Sequence, residues 1–257
     1  MRRVLITGGA GRIGRLLTQR FAGDYAVRSF DVAPHEPPDG VEAVRGVLGD
    51  LDAMVEACAG VDAVIHLAGI PSEALWEDLV RTNLDGTRTV LEAARLAGVP
   101  KVVLASSIHA AGFRSRTATP LPAWSAPRPD TFYGWTKAAM ESLGSLYSDR
   151  FGLTVFAVRI GAFQETPWTE ADVPIWLSPD DCVRLFRALV DTPVTGFRVV
   201  WGVSANSSGW LEHDGEIGYA PESDSENVAH LAERSDGNAH AHLGGMFCDI
   251  PLGKPRW

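Results

Sequence analysis

Cysteine is scarce in this chain, and its placement excludes two kinds of structural stabilisation. The three cysteines, Cys58, Cys182 and Cys248, lie far apart and include no C-x-x-C pair. Disulfide frameworks and structural zinc sites both depend on several suitably spaced cysteines. We therefore expect neither disulfide bonds nor a structural zinc site, and we predict no other metal site. The small number of thiols is compatible with a reducing cytoplasm.

Long apolar runs are also missing. No stretch approaches the roughly 20 consecutive apolar residues that span a bilayer. After Arg2 and Arg3 only the short run 4–7 precedes a glycine-rich segment, which is unlike a signal peptide. Basic residues are outnumbered, with 23 Lys and Arg against 32 Asp and Glu and a formal net charge of −9. Nucleic-acid binding depends on clustered Lys and Arg. We therefore expect a soluble cytoplasmic protein without nucleic-acid or membrane partners.

Strand and helix patterns alternate through the first 160 residues. Strands are predicted at 4–7, 26–30, 44–47, 63–67, 102–105 and 154–160. Helices are predicted at 13–21, 51–58, 75–97 and 131–151. Several strands are apolar on both faces, as strands of a parallel sheet are. Repeated strand–helix units imply right-handed crossovers, so we predict an α/β fold with a Rossmann-like, doubly wound parallel sheet.

The alternation weakens after Gly161. A helix is predicted at 180–190 and a strand at 197–203, and the remaining tail is rich in Gly, His, Asp and Ser without clear periodicity. Such a tail is too small for a core of its own. We therefore predict a single domain over residues 1–257, with a dinucleotide-binding core at 1–160. Residues 161–257 are expected to form a small C-terminal part that covers the substrate.

A glycine-rich loop follows the first predicted strand. Residues 7–14 fit the pattern T-G-x-x-G-x-x-G, whose glycines let backbone N–H groups approach a pyrophosphate at a helix N-terminus. Asp31, at the end of the second strand, would bind the adenosine ribose hydroxyls and repel a 2′-phosphate, which favours NAD over NADP. The loop alone is also compatible with a plain strand–helix corner. The loop residues expected at the cofactor are Gly8, Gly11, Arg12, Ile13 and Gly14.

Tyr133 and Lys137 form a Y-x-x-x-K pair, which places both side chains on one face of a helix. An unperturbed tyrosine has a pKa of about 10, too high for an efficient base near neutrality. A nearby lysine cation and a positive nicotinamide ring would stabilise the phenolate. Ser107, at the end of the preceding strand, would hold the reacting oxygen. The three residues together predict a catalytic set.

With these motifs the chain resembles the extended short-chain dehydrogenase/reductase superfamily, that of the NAD-dependent epimerases and dehydratases, from residue 1 to about residue 250. The resemblance implies an NAD-dependent enzyme that acts on a CH–OH group and assembles as a homodimer or a higher homo-oligomer. Beyond Tyr133 and Lys137, it implies that Asn83 helps to position the lysine. The further cofactor contacts that it implies are Asp50, Leu51, Leu67, Ala68, Gly69, Asn83 and Ile160.

Within the superfamily the chain is most similar to uronate dehydrogenases and related sugar 1-dehydrogenases. These enzymes oxidise the C1 hydroxyl of a cyclic sugar to an aldonolactone. The similarity is carried by residues 106–109, 176–181, 203–206, 209–210 and 244–247. The short chain also agrees, because nucleotide-sugar epimerases usually carry a longer C-terminal part. The residues expected at the sugar are Pro71, Ser107, Ile108, His109, Arg114, Ala162 and Phe247.

The chain departs from uronate dehydrogenases where their substrate is held. Those enzymes typically have Asn at the position of Ile108, and a carboxylate-binding arginine where the ungapped match is Ala171. Such a contact is worth roughly 1.5–3 kcal/mol. Arg114 and Arg116 either replace the missing charge or are solvated, and solvation is the stronger expectation for Arg116.

Two other functions stay open at this point. One is an NAD-dependent sugar epimerase or dehydratase that keeps its cofactor bound, and the other is a non-catalytic NAD-sensing regulator. A dehydratase usually has an acidic residue directly after its catalytic Ser or Thr, whereas Ile108 follows Ser107 here. The face of Met140, Leu143, Leu146 and Tyr147 either forms a dimer contact or packs against the sheet.

Overall fold

The computed structural model describes residues 1–116, 119–232 and 241–255, and is built around a parallel sheet. In this part of the chain the strands are β1 (Arg3–Thr7), β2 (Ala26–Asp31), β3 (Glu42–Arg45), β4 (Ala63–His66), β5 (Lys101–Ser107), β6 (Thr154–Ile160), β7 (Ala162–Phe163), β8 (Trp176–Leu177) and β9 (Phe197–Gly202). The α-helices are α1 (Arg12–Phe21), α2 (Leu51–Ala57), α3 (Trp76–Leu79), α4 (Gly86–Leu96), α5 (Phe132–Phe151) and α6 (Pro179–Asp191).

The main sheet has the order β3-β2-β1-β4-β5-β6-β9, and every neighbouring pair is parallel. The strand order reverses at β1, which lies between β2 and β4. In sheets of this kind ligands bind beyond the carboxyl ends of the strands at that point. The prediction of a Rossmann-like, doubly wound parallel sheet is confirmed.

Both faces of the sheet are covered by helices, so its strands are apolar on both sides. Alternate residues of β1 show the division: Val4 and Ile6 pack in one core with Phe21 and the inner face of α6. Leu5 packs in the other core with side chains of α2, α4 and α5. All three β1 side chains are fully buried. Two-sided burial explains the continuous apolar runs of the sequence.

The predicted helix 75–97 is confirmed as helical but is not a regular α-helix. A π-helical turn, Val80–Asp85, separates α3 from α4. Such turns often occur at functional sites because they shift side chains relative to the regular repeat. The turn contains Asn83, which is buried. The third strand also differs from its prediction, because β3 begins and ends two residues earlier.

The chain after β6 returns to the carboxyl edge of the sheet. β7 and β8 form a small parallel pair there, and α6 leads into β9. Residues 242–244 then pair with the segment that follows β5: Leu243 N donates to Arg114 O and Gly244 N donates to Gly112 O, both at 2.8 Å. The tail thereby closes the edge at which β1, β4, β5 and β6 end.

Helix α5 packs on the sheet with most of the face considered for a dimer contact. Met140 and Tyr147 are buried in the core, Leu143 packs against it, and only Leu146 of the four is largely exposed. The sheet-packing alternative therefore holds for three of these residues, and the homo-oligomer stays a prediction. Across the three described ranges no helix is both long and apolar enough to cross a membrane.

Candidate active site

The glycine-rich loop lies between β1 and α1 and has no room for side chains. Gly8 has a φ of 77°, and a Cβ there would lie 2.7 Å from the backbone nitrogen of Ala68. A Cβ at Gly14 would lie 2.0 Å from the carbonyl oxygen of Gly8. Gly11 caps α1 without a side-chain hydrogen bond. The first N–H groups of this helix are thus without a capping side chain, as in anion-binding helix N-termini.

A cavity of about 1050 Å³ extends from this loop to the tail. Its length and its glycine-lined end fit a dinucleotide, since a pyrophosphate can approach the backbone of Gly8 and Gly11 closely. The predicted cofactor residues that line it are Gly8, Gly11, Arg12, Ile13, Gly14, Leu67, Gly69, Tyr133, Lys137 and Ile160. The predicted cofactor residues outside its lining are Asp31, Asp50, Leu51, Ala68 and Asn83.

Asp31 and Arg12 bear on the choice between NAD and NADP. The two carboxylate oxygens of Asp31 accept hydrogen bonds from the backbone nitrogens of Ala10 and Ala33, each at 2.9 Å. A carboxylate held at this strand end suits ribose hydroxyls and disfavours a 2′-phosphate. Arg12 donates to the carbonyl oxygen of Phe163 and lies over the rings of Phe163 and Trp168. Its guanidinium therefore has partners at β7, and the arrangement fits NAD.

Three of the predicted cofactor residues that do not line the cavity have structural roles. Asp50 caps α2 by accepting a hydrogen bond from Ala53 N, and Leu51 is the partly exposed first residue of that helix. The backbone of Ala68 supports Gly8. The contacts of these three residues with the cofactor remain a prediction.

Ser107, Tyr133 and Lys137 meet at the other end of the cavity. Ser107 ends β5, and Thr131 caps α5, so that Tyr133 and Lys137 lie in its first two turns. The Nζ of Lys137 donates to the carbonyl oxygen of Ala105 at 2.8 Å and lies 5.6 Å from the centre of the Tyr133 ring. All three side chains are buried. The predicted catalytic set is thus assembled, with the lysine charge next to the phenol.

Burial shapes the electrostatics of this set. It raises the pKa of Tyr133 to about 12, while a hydrogen bond from Ser107 acts to lower it and the charge of Asp130 acts to raise it. Burial lowers the pKa of Lys137 to about 8. At neutral pH the lysine is therefore charged and the tyrosine protonated. A positive charge brought into the cavity would favour the phenolate.

The low pKa of Lys137 predicts a pH-dependent stability difference between the wild type and Lys137→Met. Between the folded-state pKa of about 8 and the ordinary 10.5, the unfolded chain binds a proton that the folded chain does not. Wild-type stability relative to the variant therefore rises with pH in that window, by about 3 kcal/mol in total. Urea unfolding of both proteins at pH 7 to 10.5 measures this difference. A constant difference across the window would contradict the pKa.

The side chain of Asn83 reaches α5 through the hydroxyl of Thr136 and forms no direct hydrogen bond with Lys137. Its side chain accepts from Ile70 N at 2.7 Å and donates to Ile70 O and to Thr136 Oγ1. Thr136 in turn donates to the carbonyl oxygen of Tyr133. The predicted positioning role thus has a structural route, which runs through the first turn of α5.

The substrate part of the cavity has a largely apolar wall. The predicted substrate residues that line it are Pro71, Ser107, Ile108, His109, Ala162 and Phe247. Ala171, the position at which a uronate-binding arginine was expected to be missing, also lines it. The wall is therefore apolar at the positions of Pro71, Ile108, Ala162 and Ala171, while Arg116, Glu170 and Asp172 bring charge to the same lining.

The two arginines of the loop after His109 differ in their access to the cavity, and Arg116 is exposed, in agreement with the expectation of solvation. The Arg114 side chain donates two hydrogen bonds to the carbonyl oxygen of Ala126 and does not line the cavity, so the structure does not bring it to the substrate. Arg116, for which solvation was the stronger expectation, does line the cavity. Within the described residues its guanidinium has no ion-pair partner. Arg116 is therefore the better candidate for binding an anionic group.

Two buried acidic residues near the catalytic set were missed by the sequence analysis. Asp130 accepts a hydrogen bond from His109 Nδ1 at 2.7 Å. Glu141 forms a two-hydrogen-bond ion pair with Arg159 and accepts from Ser106, the neighbour of Ser107. The position of Asp130 just before a helix-capping threonine was a weak local indication. Glu141 lies within the helical pattern of α5 and had none.

The fold and the cavity, in which Ser107, Tyr133 and Lys137 meet, together define a dinucleotide-dependent oxidoreductase. In the described ranges no group of three or more His, Cys, Asp or Glu side chains could hold a metal ion. Residues 4–163 match the model of the NAD dependent epimerase/dehydratase family. The chain therefore belongs to this family, and the superfamily predicted from its motifs is confirmed.

Relatives that match over nearly the full length of the chain are sugar dehydrogenases. The chain is 35% identical to a uronate dehydrogenase of Pseudomonas putida over 256 residues, 95% of each chain. It is 34% identical to an NAD-dependent glucose-6-phosphate dehydrogenase of Haloferax volcanii, over 91% of this chain and 98% of that one. A crystal structure of a mutant uronate dehydrogenase from Agrobacterium tumefaciens complexed with NAD aligns with a TM-score of 0.92. That match has 34% identity and covers 99% of this chain and 100% of the other. The similarity to sugar dehydrogenases thus spans the whole chain.

Proposed function

We propose that this NAD-dependent dehydrogenase oxidises the C1 hydroxyl of a cyclic sugar to an aldonolactone. The observation that carries the proposal is the meeting of Ser107, Tyr133 and Lys137 in one cavity whose far end is the glycine-rich loop. A hydroxyl placed at Tyr133 therefore lies in the same cavity as a dinucleotide bound at Gly8 and Gly11. Relatives of full length that are named for uronate and for glucose 6-phosphate support a sugar as substrate.

Each catalytic residue has a separate part in this reaction. Ser107 holds the C1 oxygen by a hydrogen bond, and the phenol oxygen of Tyr133 takes its proton. The Lys137 ammonium, 5.6 Å from the Tyr133 ring, stabilises the phenolate that accepts this proton. When bound, NAD accepts the hydride that leaves C1. The protein thus contributes orientation, proton transfer and electrostatic stabilisation.

An absorbance assay at 340 nm tests the proposal. The purified protein is incubated with NAD, and separately with NADP, across glucuronate, galacturonate, glucose, arabinose and glucose 6-phosphate. NADH formation with at least one sugar is expected, with NAD preferred because of Asp31. Absence of NADH with every sugar would overturn the proposal. Protein that carries bound NAD and isomerises a sugar without net NADH would indicate the epimerase alternative.

Within this proposal, Arg116 is expected to bind anionic sugars and to have no effect on the binding of neutral sugars. Arg116→Ala is expected to raise KM for an anionic sugar such as glucuronate or glucose 6-phosphate by about 10- to 100-fold, because a charge-assisted hydrogen bond is worth roughly 1.5–3 kcal/mol. KM for glucose is expected to stay unchanged. Both constants are measured in the NADH assay.

Arg114→Ala is the matched control for this experiment, since Arg114 is two residues away and its guanidinium is engaged by Ala126 O. It removes the same charge from the same loop but not from the cavity wall. Equal losses in the two variants would mean that the loop conformation, and not Arg116, decides the affinity for anionic sugars.

A further inference from the structure

Asp130 and His109 form a buried pair beside the catalytic tyrosine. The Asp130 side chain has no exposed surface, and its Oδ2 accepts a hydrogen bond from His109 Nδ1 at 2.7 Å. Its other oxygen, Oδ1, accepts from the hydroxyl of Thr131 at 2.9 Å. The imidazole ring centre lies 5.8 Å from that of Tyr133. A fully buried carboxylate is costly unless both oxygens are bonded, and here they are.

Three glycines from separate parts of the chain surround the Asp130 carboxylate. A Cβ at Gly112 or at Gly244 would lie 1.9 Å from Asp130 Oδ2, and a Cβ at Gly134 would lie 2.8 Å from Oδ1. The loop after β5, the start of α5 and the tail therefore each need a glycine at the position that contacts Asp130. This close packing leaves the carboxylate no room to rotate away from His109.

The other side of the histidine faces the cavity. His109 lines the cavity wall and stacks on Phe247 of the tail, with ring centres 4.0 Å apart. Its Nε2 has no hydrogen-bond partner in the described part of the chain. In a neutral imidazole only one nitrogen carries a proton. Because Nδ1 donates to Asp130, the lone pair is on Nε2.

We propose that Asp130 is a positioning residue that holds His109 in the tautomer whose Nε2 accepts a hydrogen bond from a substrate hydroxyl next to the reacting carbon. A hydroxyl is the fitting group, because a lone pair repels a carboxylate or a phosphate. This inference rests on the proposed function, since the hydroxyl belongs to the sugar. It adds that the sugar must carry an unmodified hydroxyl on the side of His109.

Asp130→Asn reverses the tautomer in this arrangement. The hydroxyl of Thr131 accepts from Gly134 N at 2.9 Å, so its own hydrogen is directed to the Oδ1 position of residue 130. An asparagine must therefore place its oxygen at that position and its NH₂ group towards His109. The NH₂ group donates to Nδ1, and the proton of the imidazole moves to Nε2. The volume of the side chain stays nearly the same.

Nitrogen-15 NMR of histidine-labelled protein reads this difference without any substrate. At pH 8 we expect the His109 proton on Nδ1 in the wild type and on Nε2 in Asp130→Asn. His109→Phe, which keeps an aromatic ring for Phe247, identifies the signal among the seven histidines. A wild-type proton on Nε2 would overturn the proposal, and this result does not require Asp130→Asn to fold.

Kinetics with deoxy-sugars test the recognition of the hydroxyl. The probes are the sugar of the 340 nm panel with the highest kcat/KM and its 2-deoxy analogue. The wild type is expected to prefer the hydroxylated sugar by about 10- to 100-fold, and His109→Phe, which has no hydrogen-bonding nitrogen, by less than about 3-fold. An unchanged preference in His109→Phe would overturn the proposal. A wild type that oxidises no sugar would instead contradict the proposed function, while the tautomer remains readable by NMR.

The pH profile separates positioning from general structural damage. Tyr133 is faced by Ser107, His109, Lys137 and Asp130, and its backbone nitrogen donates to the buried Glu73; the charge of Asp130 acts to raise the pKa of the phenol. Asp130→Asn is therefore expected to shift the rise of kcat/KM to lower pH, and His109→Phe is expected to leave it in place. An unshifted profile in Asp130→Asn together with an unchanged tautomer would leave Asp130 a purely structural role and overturn the proposal.

Discussion

Replacing Tyr133 with phenylalanine is expected to lower kcat by roughly 10²- to 10⁴-fold, the range in which general acid–base groups contribute. In the proposed reaction the phenol oxygen takes the substrate proton, and Lys137 acts by stabilising the phenolate. The ring itself is buried and its packing is retained in the variant. Steady-state NADH formation measures kcat, and calorimetry with NAD measures whether the cofactor still binds.

Tyr147→Phe is the matched control for this loss. Tyr147 lies on the same helix, is also buried, and its hydroxyl donates to Glu92 at 3.1 Å, away from the cavity. The control is expected to keep its activity. If Tyr133→Phe kept a wild-type kcat as well, the proton acceptor would have to be another group, and His109 would be the first to examine.

Arg159→Met is expected to cause the largest loss of stability, about 3–5 kcal/mol. The Arg159 guanidinium forms two hydrogen bonds with Glu141, at 2.8 and 2.9 Å, and donates to the carbonyl oxygens of Ala123 and Ser125. Both members of the ion pair are almost fully buried. Removal of the arginine leaves a buried carboxylate without its counter-charge. Urea unfolding monitored by circular dichroism gives the free energy of unfolding.

Two comparisons make this expectation specific. Arg20→Met removes an arginine whose pair with Asp180 is exposed, and it is expected to cost less than about 1 kcal/mol. Glu141→Gln combined with Arg159→Met removes both charges and is expected to recover part of the loss, because the lone buried charge is gone. A loss in Arg159→Met no larger than that of Arg20→Met would contradict the importance of the buried pair.

The parts of the fold that were predictable from the sequence are those whose pattern lies within a short stretch of chain. Strands buried on both faces, such as β4 and β6, are continuous apolar runs, and their bounds agree closely with the prediction. β3 is an edge strand with mostly exposed side chains, so its apolar pattern was weak and its position was two residues off. The π-turn around Asn83 keeps a helical periodicity and therefore looked like regular helix.

The parts of the site that were predictable are likewise those that depend on a short stretch of sequence. The glycine loop and the Tyr133–Lys137 pair are local patterns, and both line the cavity as expected. Arg114 and Arg116 have the same chemistry two residues apart, and the conformation of their loop, which depends on Ala126, decides which one lines the wall. The partner of His109 depends on glycines more than 100 residues apart in the chain. No local pattern contains that information.

The start of α5 fixes the relative positions of Asp130, Tyr133 and Lys137. Thr131 ends the loop, caps the helix and bonds Asp130, and the tyrosine and lysine follow at fixed steps of about 1.5 Å and 100° along the same helix. One residue inserted between positions 130 and 137 would therefore turn part of the set away from the cavity while the helix itself persisted. We therefore expect insertions and deletions to be compatible with activity only outside residues 130–137.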